Sequence, residues 1–116
     1  MAELNTIARP YAKAVFQYAQ ESNALEHWET MLKLAAAVVQ EPTMRAALDN
    51  PARSAEQCAD LVAEVCGDEL DDKARNLITQ LAWNKRLTAL PEIARLFHEL
   101  VAAQQRFRDV EVVSAY

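Results

Sequence analysis

Two histidines, two cysteines and a run of carboxylates are the residues of this 116-residue chain best suited to chemistry. Acid–base or metal work would need them to converge in a pocket. His27 and His98 each fall on a predicted helix among charged neighbours, the setting of a solvated surface histidine. Cys58 and Cys66 are eight residues apart on one predicted helix. That is about 12 Å along the axis, too far for a disulfide without unwinding. No Cys or His pair has the spacing of a structural zinc site, so reduced, mostly buried thiols are expected. The stretch "GDELDD" (67–72) lacks the twelve-residue ligand pattern of a calcium loop, and no glycine-rich phosphate loop is present. The residues therefore predict no catalytic group, no metal ligand set and no cofactor.

The elements that would position such residues are helices. The chain has a single glycine, Gly67, too few for the tight turns of an all-β fold. It is 52% hydrophobic and 25% charged, a globular composition with room for one modest core. A net charge of −5 argues against nucleic acid and against docking on an anionic membrane. No apolar run approaches the length of a membrane span, and "MAELNTIARP" has no signal or transit pattern, so a cytoplasmic chain is expected.

Six helices are predicted. The first is capped at Asn5 or Thr6 and runs to about Glu21, with Pro10 either near its start or at a slight kink. A turn near Asn23 leads to a second helix with Leu25, Trp28, Met31, Leu32, Ala35, Val38 and Val39 at three–four spacing. Pro42 opens a short third helix to Leu48, and Asn50-Pro51 marks a loop. Ser54 and Gln57 form a capping box for a fourth helix that ends at Gly67. The carboxylates of "GDELDD" suit the start of a fifth helix, which runs to about Asn84. A sixth spans about Ala89 to Arg108. In the tail "DVEVVSAY", β-branched valines predict a strand or a loosely attached linker over 109–116. The fold class is thus an all-α six-helix bundle over 1–108 with a short extended tail.

Two helices carry more apolar surface than one core face needs. At about 100° per residue, the first helix shows an apolar arc of roughly 200°, wider than an ordinary core stripe. Leu4, Ala8 and Val15 sit at its middle; Ile7, Tyr11, Ala14 and Tyr18 extend one edge, and Ala12, Phe16 and Ala19 the other. Such an arc fits a central helix packed on both sides, or a helix that holds a partner. On the fifth helix, Trp83 falls away from the core stripe of Leu70, Ala74, Leu77, Ile78 and Leu81, beside Asn76 and close to Gln80. It either packs on a loop or anchors a partner. Were these faces adjacent, they would make a groove for an amphipathic helix, with Ala14 admitting close backbone approach and the tyrosines lining the rim.

Three stretches carry a resemblance to a known family. Arg9, Tyr11, Ala12, Ala14 and Phe16 fit "R-x-Y-A-x-A-x-F". Asn76, Leu77, Leu81, Asn84, Arg86, Leu87, Leu90, Pro91 and Ile93 fit "N-x-x-x-x-L-x-x-N-x-R-L-x-x-L-P-x-I". Val112, Ser114 and Ala115 fit "V-x-S-A". In order and spacing the chain resembles the N-terminal part of the δ subunits of bacterial F-type ATP synthase, counterparts of the mitochondrial oligomycin-sensitivity-conferring protein.

The resemblance implies a non-catalytic part of the peripheral stalk, the stator that stops the catalytic head from turning with the rotor. It implies a peripheral place on the cytoplasmic face of the bacterial inner membrane. The implied partner is the helical N-terminal segment of an α subunit, gripped between the first and fifth helices. Tyr11, Ala14 and Asn76 match the motifs; Ile7, Tyr18, Gln80 and Trp83 are added by projection. Contacts with the b subunits would use a second domain beyond Tyr116, and the fragment by itself is expected to be monomeric. One departure stands out: the family often has glycine where this chain has Lys85, so Asn84 is expected to take the left-handed turn instead. The alternative reading is a free-standing helical adaptor for another amphipathic segment.

Overall fold

The computed structural model describes the backbone of residues 2–114 and the side chains of residues 5–106. The described residues form six α-helices: α1 (Ala2–Glu21), α2 (Leu25–Gln40), α3 (Pro42–Leu48), α4 (Ala55–Cys66), α5 (Asp72–Trp83) and α6 (Leu90–Ser114). Short 3-10 turns, Gly67–Glu69 and Leu87–Ala89, lead into α5 and α6. Among the described residues there is no strand, so the all-α bundle expected from glycine scarcity and three–four spacing is what forms.

The helix ends follow local chemistry. Glu41 caps α3, its carboxylate accepting from the Met44 N–H at 3.0 Å. The Ser54–Gln57 capping box is complete: Gln57 N donates to Ser54 Oγ at 3.1 Å and Ser54 N to Gln57 Oε1 at 2.8 Å. Asp71 caps α5 by accepting from Ala74 N at 2.9 Å, placing its charge where the helix dipole favours an anion.

Three boundaries differ from the sequence expectation. First, α1 begins at Ala2, so Asn5 is no cap; its side chain reaches α6 instead. Pro10 lies inside α1 on an exposed face, so the ring that supplies no N–H to the helix ladder points to solvent. Second, α6 continues through Ser114, so Val110, Val112 and Val113 are helical rather than extended. β-branched residues lose only a few tenths of a kcal/mol of helix propensity each, and extending an existing helix needs no new nucleus. Ala115 and Tyr116 lie outside the described residues.

Third, the left-handed residue after α5 is Lys85 (φ 58°), while Asn84 stays at φ −90°. The hydrogen bonds give the reason. Arg86 N donates to Leu81 O (2.7 Å) and Lys85 N to Ala82 O (3.0 Å), the paired bonds of a Schellman motif. That motif places positive φ on the residue after the cap, which is Lys85 whatever stands at 84. The same pair closes α1, where Ala24 N meets Ala19 O and Asn23 N meets Gln20 O, with Asn23 at φ 54°.

The core runs along α6. Leu90, Ile93, Leu96, Phe97 and Val101 are buried, and they meet Ala8, Ala12, Val15 and Ala19 of α1 and Trp28, Met31, Leu32, Ala35 and Val39 of α2. Phe97 is fully enclosed, with its ring edge-on to Phe16 at 6.0 Å between centroids. Alanines on α1 let the two helices approach closely. On the other side, α4 supplies Cys58, Ala59, Val62 and Cys66, against which α5 packs Ala74, Ile78, Leu81 and Ala82. Both cysteines are free and buried, and burial pushes the Cys66 thiol pKa up.

Because Lys85 holds a conformation that side chains with a Cβ resist, Lys85→Gly should stabilise the fold by about 0.5–1 kcal/mol. Urea denaturation would register this as a raised midpoint with an unchanged slope; a lowered midpoint would contradict the account of this turn.

Candidate partner-binding flank of α1 and α5

The orientation of α1 is set near its N-terminal end. Asn5 Nδ2 donates to Glu92 Oε2 of α6 at 3.0 Å, and Arg9 Nη2 donates to Asn5 Oδ1 at 2.9 Å. Glu92 is held in turn by Arg95, whose Nε and Nη2 reach its two oxygens at 2.9 and 2.6 Å. Arg95 also contacts Glu99. The Arg95 guanidinium is the main cause that lowers the Glu92 pKa to about 2; partial burial opposes it and the Asn5 amide adds to it. The same contact raises the Arg95 pKa. This clasp, with the Phe16–Phe97 contact farther along, fixes which flank of α1 faces α6 and leaves the other flank open.

That open flank carries the residues singled out by projection. Ile7 and Tyr11 are half-buried, Ala14 is exposed, and Tyr18 is 41% exposed, with its ring edge-on to buried Trp28 at 6.0 Å. The flank runs toward α5: Asn84 Nδ2, at the α5 C-cap, donates to the Tyr11 hydroxyl at 3.0 Å. At the far end of α5, Asp71 Oδ2 lies 3.1 Å from His27 Nε2, and Asp71 N donates weakly to Met31 Sδ at 3.5 Å. Both contacts bind the start of α5 to α2, next to the end of α1. The two motif-bearing helices are thus linked at Tyr11–Asn84 and, through α2, near Trp28.

On α5, Asn76 and Gln80 are exposed, on the side opposite buried Ala74, Ile78 and Leu81. Trp83 is 61% exposed and turns toward the α3–α4 loop, where it borders a depression of about 630 Å³ with Leu48, Pro51, Cys58 and Leu87. Helical rotation puts Trp83 about 20° from Asn76 and about 60° from Gln80, so the three share the outer face of α5. The Asn84 contact, absent from the projected set, is the residue pair that sequence reasoning missed. In the sequence Asn84 is marked only as a motif position and as a turn former.

Both histidines are exposed, as expected, yet each meets a carboxylate on another element: His27 meets Asp71, and His98 meets Glu29. Among the described residues no cluster of three or more metal-ligating side chains occurs, and no helix is long and apolar enough to cross a membrane.

By its architecture this is an all-helical domain that presents aromatic side chains of α1 and α5 to solvent beside polar ones. The comparisons with known proteins give the family. Residues 7–116 match the family model described as ATP synthase delta (OSCP) subunit. Over all 116 residues the chain is 59% identical to ATP synthase subunit delta of Alcanivorax borkumensis and 49% identical to that of Cellvibrio japonicus, in each case covering 65% of the relative. Over 115 residues it is 47% identical to ATP synthase subunit delta of Haemophilus influenzae, covering 64% of that protein. The chain belongs to the ATP synthase delta (OSCP) subunit family, and it spans just under two thirds of the length of these relatives.

The clasp on α1 makes a pH prediction. The folded pKa of Glu92 is about 2, below the unfolded value of about 4.3. The stabilisation is therefore complete above the unfolded value and is lost as pH falls toward the folded one. Wild type should be more stable than Glu92→Gln at pH 6, and the difference should shrink toward zero by about pH 2. Urea midpoints at a series of pH values would check this; a difference that does not change with pH would discount the ion pair.

Proposed function

We propose that this chain is a stator component of an F-type ATP synthase, and that the α1–α5 flank holds the helical N-terminal segment of an α subunit. The observation that carries the reading is the Tyr11–Asn84 hydrogen bond. It ties Tyr11 of the opening motif to Asn84 of the second motif, at the C-cap of α5.

The chemistry suits an amphipathic helix. Ala14 offers no side chain beyond Cβ, so a partner backbone can come close. Tyr11 and Tyr18 provide apolar area with a hydroxyl at the edge. Asn76 and Gln80 are exposed donors and acceptors for the partner's polar rim. They share the outer face of α5 with Trp83, so all three would serve a partner that reaches around that face. A stator part acts by holding, and burial at about 25 cal/mol per Å² is the main source of such a grip, before the cost of association. In this reading the b subunits are met through a further domain, the role is non-catalytic, and the site lies on the cytoplasmic side of the bacterial inner membrane.

A synthetic peptide of the α-subunit N-terminus, titrated into this chain, tests the reading. Trp28 beside Tyr18 and exposed Trp83 are the fluorescent reporters, with calorimetry as a second readout. Saturable one-to-one binding is expected. Ala14→Asp should weaken it at least about tenfold, because it places an unpaired carboxylate against an apolar segment. The circular dichroism of this variant should be unchanged, since Ala14 is exposed. A folded domain that binds no peptide in calorimetry would leave the family fold without this partner and favour a helical adaptor for another segment.

A further inference from the structure

α1 has a second open edge. On its wheel, Arg9 and Lys13 project away from Tyr11 and Tyr18, and they border a groove of about 400 Å³ between α1 and α6. Buried Ala12 and Leu96, with half-buried Leu100, line it with apolar surface. Ala102 and Ala103 keep that part of it low, and exposed Arg106 stands at the far end.

The charges in this groove run against those of the chain. Overall the protein carries −5, yet Arg9, Lys13 and Arg106 all border one groove. Its one carboxylate, Glu99, is already engaged by Arg95, and His98 is engaged by Glu29. Arg9 spends a hydrogen bond on the neutral amide of Asn5. Lys13 and Arg106 have no ion-pair partner among the described residues.

We propose that the α1–α6 groove docks an acidic amphipathic helical segment of a partner protein. Charge complementarity selects the sign of the occupant. The apolar floor selects a side chain-bearing segment over a free anion, which would gain nothing from Ala12 and Leu96. The concave shape selects a peptide over a flat bilayer. From Leu96 to Arg106 the groove follows about 15 Å of helix, enough for roughly three turns of a partner, and the alanines allow its backbone to come close. This surface is separate from the α1–α5 flank, so it stands or falls independently of the proposed function.

The test uses the full 116-residue chain, isotope-labelled for NMR. The probe is a helical peptide of about 16 residues built from Glu, Ala and Leu, with Leu on one face. Its Lys-for-Glu counterpart and phosphatidylglycerol vesicles are run in parallel. The expected result is that the acidic peptide shifts the amide signals of Ala12, Lys13 and Ala103. Its affinity should fall with added salt and should drop about tenfold in the double variant Lys13→Glu/Arg106→Glu. Lys13→Gln should give a smaller loss, and it serves if the double variant is misfolded. Four results would each overturn the proposal: no binding of the acidic peptide, equal binding of the Lys counterpart, shifts confined to the Tyr11–Tyr18 flank, or binding by the vesicles and not the peptide.

Discussion

The burial of α6 between α1 and α2 is the constraint on which the rest of this structure depends. Phe97 is fully enclosed, and Leu90 and Ile93 are equally shut from water. Burying each such side chain contributes about 1.5–3 kcal/mol, and truncating a Phe in this setting costs about 3–5 kcal/mol because a cavity remains. The contact also fixes rotation. Once Ala8, Ala12, Val15 and Ala19 face α6 and α2, the residues to either side of that stripe have settled places. Tyr11 meets Asn84 at the α5 C-cap, Tyr18 lies against Trp28 of α2, and Arg9 and Lys13 turn to the outer edge beside α6.

Polar contacts refine what burial begins. The Asn5–Glu92–Arg95 clasp pins the N-terminal end of α1 to the start of α6. Tyr11–Asn84 and His27–Asp71 then tie the two ends of α5 back to α1 and α2. At least one partner in each contact is exposed, so solvent screens them and each adds only modestly to stability. Their effect is on geometry: they hold two helices with few apolar contacts between them in a fixed relation.

Much of the helical scaffold can be read directly from the residues. The Ser54–Gln57 box, the Pro42 start and the Gly67 stop are local signals, and each acts through bonds within a few residues. The open face of α1 is also legible, because an apolar arc wider than one core stripe must meet something besides the core. Where expectation and structure part, the cause lies beyond the local window. Asn5 looks like a cap because its type suits one, but a partner on α6 engages it. Lys85 is left-handed because the Schellman bonds choose the position, and the residue type only sets the cost. The helical course of Val110, Val112 and Val113 shows that an established helix overrides a weak β preference.

The sequence by itself determined the helix count, the Ser54–Gln57 capping box, the apolar stripes of α1, α2 and α5 and the motifs that mark the family. All of these depend on residue type and on spacing along one helix. Only the tertiary structure decided which helices stand side by side. It joined Tyr11 to Asn84, turned Trp83 to the α3–α4 side of α5 and gathered Arg9, Lys13 and Arg106 around one groove. Those outcomes depend on the relative rotation and packing of helices far apart in the chain. A periodicity measured within one helix has no term for the rotation of its neighbour.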